Sequence, residues 1–214
     1  MACHFDLYSM VLRKDKAVSQ EDLERAIKAF QARKYKRAFA AFTALAEQGN
    51  GTAQFYLGRM YYEGQGTEDN EYEAIEWFRR AAASGHAEAQ FWLGGAILYW
   101  GKNAPADAEA LDWLRKSAEQ GYPDAQYDLA VYYAVGEEYG VEKDERQALQ
   151  WYLRAGAQGH AGALYNAGFM YLLGDGAAKD EDRAFALLTE AAEKGSSDAK
   201  GLLEENDSLS KRLK

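Results

Sequence analysis

Cysteine, proline, positive charge and long apolar runs are all scarce in this chain of 214 residues. Cys3 is the only cysteine, so no disulfide can form within the chain and a cysteine-based metal site lacks ligands. Pro105 and Pro123 are the only prolines, so little interrupts helix. The 25 Lys and Arg face 34 Asp and Glu, a formal net charge of −9. That balance argues against general nucleic-acid binding, which needs cations to displace phosphate counterions. It argues equally against an anionic membrane surface. No stretch has the apolar length needed to cross a bilayer. Residues 1–16 hold no apolar core of signal-peptide length; the longest apolar-leaning run there is Tyr8-Ser9-Met10-Val11-Leu12. The sequence as it stands predicts a cytoplasmic protein, or a periplasmic or secreted one if a signal has been left off.

Glycine, by contrast, is plentiful for a helical chain, at 20 residues. Gly49, Gly85, Gly121, Gly159 and Gly195 are separated by 36, 36, 38 and 36 residues. Ala53, Ala89, Ala125, Ala163 and Ala199 keep the same intervals, as do Ala38, Ala74, Ala110, Ala148 and Ala184. Three series in step mark an internal repeat. One unit reads Ala53-x-x-x-Leu57-Gly58-x-x-Tyr61-x-x-Gly64-x-Gly66, then Asp69, Ala74-x-x-Trp77, Ala81-Ala82 and Gly85. Ala53, Leu57 and Tyr61 share one helix face. Ala74, Trp77 and Ala81 share another. Gly64 ends the first helix and Gly85 the second. Gly58 and Ala81 let helix axes approach. One such hairpin cannot bury its apolar face alone, so neighbours must stack on it as a solenoid.

The units follow directly. Ser19-Gln20-Glu21-Asp22 resembles a capping box opening a helix to about Gln31. Lys34 to Gln48 is a second helix, which completes a unit over 19–50. Full hairpins follow at 51–86, 87–122, 123–160 and 161–195. A C-terminal capping helix, Ser197 to Glu205, occupies 196–205. Residues 1–18 fit no unit, and 206–214 form a polar tail. The fourth repeat carries two extra residues in its inner loop, around Glu137-Glu138-Tyr139.

The string Ala-x-x-x-Leu-Gly-x-x-Tyr-x-x-Gly-x-Gly, then Asp, Ala-x-x-Trp, Ala-Ala and Gly, resembles the Sel1-like repeat (SLR) family, a relative of the tetratricopeptide repeat. Gln54, Leu57, Gly58, Tyr61, Gly64, Gly66, Asp69, Ala74, Trp77, Ala81, Ala82 and Gly85 fit nearly the whole pattern, and the match runs over roughly 34–205. The resemblance implies an all-α fold, an α/α superhelix of about five helix-turn-helix units, that serves as an adaptor or scaffold for protein complexes. Some members are secreted and carry a disulfide in each repeat. This chain lacks those cysteines, so their penicillin-binding or lactamase-like association is not carried over. The third unit departs most: Ile97 replaces the tyrosine, and Trp100 stands where other units have Gly64, Gly136 and Gly174.

Signatures of chemistry are missing. Gly64-x-Gly66 lacks the Gly-Lys-Ser/Thr ending of a phosphate loop. His86 and His160 hold equivalent positions after a terminating glycine, where the third unit has Tyr122; they read as turn residues and not as a metal pair. No Gly-x-Ser-x-Gly and no His-x-x-x-His occurs. The reading is of a protein that is not an enzyme and needs no cofactor or metal.

Comparing units locates candidate contacts. Phe55, Phe91, Tyr127 and Tyr165 are aromatic throughout and read as packing; Trp77, Trp113 and Trp151 read as core. Trp92 is equivalent to Tyr56, Asp128 and Asn166, so its position tolerates charge. Arg59, Gly95, Val131 and Phe169 form another tolerant series, and Glu63, Tyr99, Val135 and Leu173 a third. All lie on the first helix of a hairpin, which by the resemblance lines a concave face. A partner groove of Tyr56, Arg59, Tyr62, Trp92, Tyr99, Trp100 and Phe169 follows, since exposed Trp, Tyr and Arg anchor interfaces. Alternatively Trp92 and Trp100 fill an irregular third unit. The expected function is to bind a protein or peptide, as a monomer or with weak self-association. A dedicated binder that neutralises a toxin or effector would use the same surface. A hydrolase acting on cell-wall or peptide material is disfavoured for want of a nucleophile or metal signature.

Overall fold

The computed structural model describes residues 19–100, 104–136 and 141–205, with the side chains of all of these except 99, 100 and 104–107. The expected loop insertion at Glu137–Tyr139, the segment 1–18 and the tail 206–214 lie outside the described residues. Within them are eleven α-helices and no strands. The helices are α1 Gln20–Gln31, α2 Tyr35–Glu47, α3 Gly51–Glu63, α4 Glu71–Ala83, α5 Ala87–Trp100, α6 Ala104–Glu119, α7 Pro123–Val135, α8 Glu145–Ala157, α9 Ala161–Leu173, α10 Glu181–Glu193 and α11 Ser197–Glu205. They fall into two compact units divided between Ser84 and Gly85.

The first unit holds two helix pairs, α1–α2 and α3–α4. Ser19 caps α1: its hydroxyl accepts from the Asp22 N–H at 3.2 Å. The Asp22 carboxylate in turn accepts a hydrogen bond from the Ser19 hydroxyl at 2.7 Å. The turn into α2 places Arg33 in the left-handed region, φ 56°. Asn50 caps α3 through its side-chain oxygen, which accepts from the Ala53 N–H at 2.9 Å. Gly64 stops α3 in the left-handed conformation. Gly66 then takes φ 83°, and a Cβ there would stand 2.6 Å from the Tyr35 carbonyl. The second motif glycine therefore seats the hairpin loop on the start of the preceding pair's second helix. Asn70 closes the hairpin by donating its N–H to the Tyr61 carbonyl at 2.9 Å and capping α4.

The core of this unit shows one correction. Trp77 is half-buried, and the fully buried residue is its neighbour Phe78. Ala74, Phe78 and Ala81 form the inward stripe at i, i+4, i+7, and Gly58 lets Phe78 in: a Cβ at Gly58 would meet the Phe78 ring at 2.7 Å. Trp77 lies one step round the helix, and the Arg80 guanidinium covers its ring at 4.4 Å. Phe42 repeats the Phe78 position in α2.

The second unit applies the same rules over α5 to α11, each helix packed on its neighbour in sequence. Trp113 and Trp151 are also half-buried and also capped, by Lys116 at 4.3 Å and Arg154 at 4.4 Å. Leu114, Tyr152 and Leu188 take the buried position one residue later. A long side chain set off the centre of the stripe keeps one face dry and gives the other to a cation, which stabilises by about 0.5–1 kcal/mol. Gly168 admits Leu188 as Gly58 admits Phe78. Phe55 is fully buried, whereas Phe91, Tyr127 and Tyr165 pack half-buried against their clusters.

Several polar side chains of the repeat are satisfied internally. His86 and His160 are helix caps: their Nδ1 atoms accept from the Ala89 and Ala163 N–H at 3.2 and 3.0 Å. Ser196 does the same for Ala199. Buried Gln126 donates to the Ala118 carbonyl at 3.0 Å, at the end of the preceding helix. In the first unit Gln54 donates to Ala46 in the same way. Gln158 donates to the Gln126 side chain at 2.9 Å, and Gln120 to that of Gln90 at 2.7 Å.

Candidate functional site

On the first unit the candidate residues sit on α3. Tyr56 is half-buried in an aromatic cluster: it stacks parallel on Phe42 with centroids 4.8 Å apart and meets Phe30 edge-on at 5.2 Å. Arg59 is anchored on the same side, its guanidinium 5.6 Å from the Phe30 ring and paired with Glu63 at 2.9 Å. Tyr62 is exposed at 39%.

On the second unit Trp92 is half-buried. Helix α5 runs through Tyr99 and Trp100, so Trp100 extends a helix where α3, α7 and α9 stop at a glycine; the side chains of Tyr99 and Trp100 lie outside the description. Phe169 is 39% exposed on α9 and stacks on Tyr165 at 6.2 Å. Leu173, one turn on, is 56% exposed, and Val135 on α7 is 44% exposed. A cavity of about 200 Å³ opens beside Phe169, lined among others by Tyr152, Asn166, Lys143, Glu145 and Asp175. Lys143 pairs with Glu145 at 2.8 Å, and Asp175 adds to the field that raises its pKa.

Asp128 changes the picture of this face. Its equivalence to Tyr56, Trp92 and Asn166 suggested an open position, yet all four are half-buried. Burial raises the Asp128 carboxyl to about 6, and the Asp124 charge one turn away adds to the rise. Tyr152, beside it, is pushed up to about 12, chiefly by burial, against a hydrogen bond with Asn166. Asp128 has neither an ion pair nor a hydrogen bond among the described residues. Nearby, His160 stacks on Tyr127 at 4.4 Å with its Nε2 3.7 Å from Asp124.

Four consecutive segments, 51–86, 87–122, 123–160 and 161–196, match the Sel1 repeat model. The chain belongs to the Sel1 repeat family. Among solved structures, a Sel1 repeat protein from Oxalobacter formigenes is 33% identical, with a TM-score of 0.73 over 80% of this chain and 49% of that one. A protective antigen of uropathogenic Escherichia coli with an SLR fold is 34% identical, with a TM-score of 0.71 over 77% of this chain and 35% of that one. The chain thus spans about half the length of the first and about a third of the second. An immunity protein from Pseudomonas aeruginosa shares the fold at 21% identity, with a TM-score of 0.57 over 87% of this chain and 71% of that one. No curated protein matches. Sel1 repeat proteins are generally scaffolds for protein interaction, and this chain has that type of architecture.

Within this Sel1 chain no group of three or more His, Cys, Asp or Glu among the described residues could hold a metal. No described helix is long and apolar enough to cross a membrane. Sequence reasoning passed over Asp128, Tyr152 and Asn166 as site residues. The available signal was the column itself: the same register holds two aromatics, an acid and an amide.

Proposed function

We propose that this Sel1 repeat protein binds another protein through the exposed side of the first helix of its hairpins. Tyr56, Arg59 and Tyr62 contribute in the first unit, and Trp92, Tyr99, Trp100 and Phe169 in the second. One observation carries this reading. The large apolar side chains left exposed among the described residues are Tyr62, Tyr72, Val135, Phe169 and Leu173. All but Tyr72 stand on the first helix of a pair, near its C-terminal end. Exposed apolar side chains recurring on one element of a repeat mark a surface kept for contact.

Affinity purification from the native host, followed by mass spectrometry, tests the reading. Wild type is compared with Arg59→Ala, Trp92→Ala and Phe169→Ala, each checked for its melting temperature. A stoichiometric protein recovered by wild type and lost by variants of unchanged stability supports it. Equal recovery by all variants sinks it, as does turnover of a substrate. A large loss of stability for Trp92→Ala removes that residue from the face and assigns it to packing.

A further inference from the structure

Resting on that protein-binding reading, we infer that the face of the second unit around Asp128, Tyr152, Asn166 and Phe169 receives a segment of a partner that places a lysine or arginine next to an apolar side chain. Three observations combine. First, there is room and an apolar wall: the cavity of about 200 Å³ is bounded by Phe169 and Tyr152, with Leu173 and Val135 exposed on the same helices, α9 and α7. A cavity of that size has room for one large side chain and is smaller than a typical drug-sized ligand site. Second, the charge is unbalanced. Glu145 and Asp175 line the cavity and Asp128 acts electrostatically on Tyr152 in its wall, while Lys143 is the one cation among the lining residues, and it is already paired with Glu145. An anionic partner would add to this excess, and a neutral one would leave it uncompensated. Third, Asp128 is half-buried, with no cation and no hydrogen-bond donor among the described residues. A carboxylate in that state gains from a cation delivered at the rim.

The rest of the column fits this division of labour. Tyr56 at the same register stacks on Phe42 and closes its site with carbon. Asn166 supplies an amide beside Tyr152, able to hold the backbone or a polar side chain of an entering segment. Arg154 and Lys116 lie over tryptophans on the second helices and are engaged there.

A phage-displayed library of random dodecapeptides, selected on the whole protein, tests the proposal. Enriched peptides are expected to pair Lys or Arg with a neighbouring apolar residue. Their affinity should fall at least ~10-fold for Asp128→Asn, as for loss of one partner of a desolvated charge pair. Asp128→Asn is isosteric and relieves a buried charge, so the loss cannot be assigned to unfolding. Phe169→Ala should weaken the same peptides, and Glu181→Gln, away from the cavity, should not. Enriched peptides without a cation, or cationic ones indifferent to Asp128→Asn, overturn this proposal and leave the protein-binding reading standing. No enrichment at all also overturns it. The broader reading is decided separately, by whether a folded partner is recovered from the host.

Discussion

Asp128→Asn should make this protein more stable at neutral pH, and the size of the gain can be worked from its surroundings. The carboxyl is raised from 3.8 to about 6, mainly by burial and secondarily by Asp124. The folded chain therefore holds the proton more tightly than the unfolded chain does. Ionisation costs the fold nothing below the unfolded value of 3.8, an increasing amount as pH rises toward 6, and the full amount above that. At about 1.4 kcal/mol per pH unit the ceiling is about 3 kcal/mol. Residual solvent at a half-buried side chain screens part of this, so about 1–2 kcal/mol is expected. Asparagine keeps the shape and carries no charge. Urea denaturation followed by circular dichroism, run from about pH 4 to about pH 8, gives the difference between variant and wild type. The gain should be full at the upper end and vanish at the lower end. Asp124→Asn alone should recover only a minor share. No gain at neutral pH, or the same gain at both ends, would refute the reasoning.

Gly58→Ala should destabilise by about 1–3 kcal/mol, because its Cβ has to displace the Phe78 ring from 2.7 Å; a thermal melt reads it. Phe78→Ala should cost about 3–5 kcal/mol, and Trp77→Ala clearly less, which ranks the two neighbours by urea midpoint. Arg33→Gly should stabilise by about 0.5–1 kcal/mol by relieving a left-handed residue at φ 56°, and no change would remove the strain argument. His86 caps α5 as a neutral acceptor and burial lowers its pKa, so its contribution is present above the unfolded value of 6.5 and is lost as pH falls through and below it. His86→Asn, the residue used at Asn50, should flatten that fall without lowering stability at neutral pH; an unchanged pH slope would count against the cap.

Much of the fold was legible because the repeat is its own control. The glycine and alanine series gave the helix pairs, and the starts and stops agree with the caps at Ser19, Asn50 and Gly64. The tryptophans misled. Their recurrence in Ala-x-x-Trp drew the inward stripe through Trp77, whereas Ala74 and Ala81 bracket Phe78 more closely. The repeating feature at Trp77, Trp113 and Trp151 is the cation three residues on, a pairing visible in the sequence as Arg80, Lys116 and Arg154. The histidines were rightly placed at turns, but their capping role needs the Nδ1 geometry, which spacing does not carry.

The column Tyr56, Trp92, Asp128, Asn166 holds the deeper lesson. A charge in one copy suggested that every copy faces water. The structure shows these side chains half-buried and the Asp128 carboxyl partly desolvated, a state that side-chain identity alone cannot distinguish from solvation. Other polar side chains of the repeat have a job in the stack: Gln54 and Gln126 join neighbouring helices, and the caps tie off free N–H groups. Asp128 joins nothing, and its charge opposes folding. On the proposal above, a residue that weakens the stack and satisfies none of its needs is accounted for by what meets it from outside, which makes the second unit's face, and not the repeat as such, the place to test for the partner's chemistry.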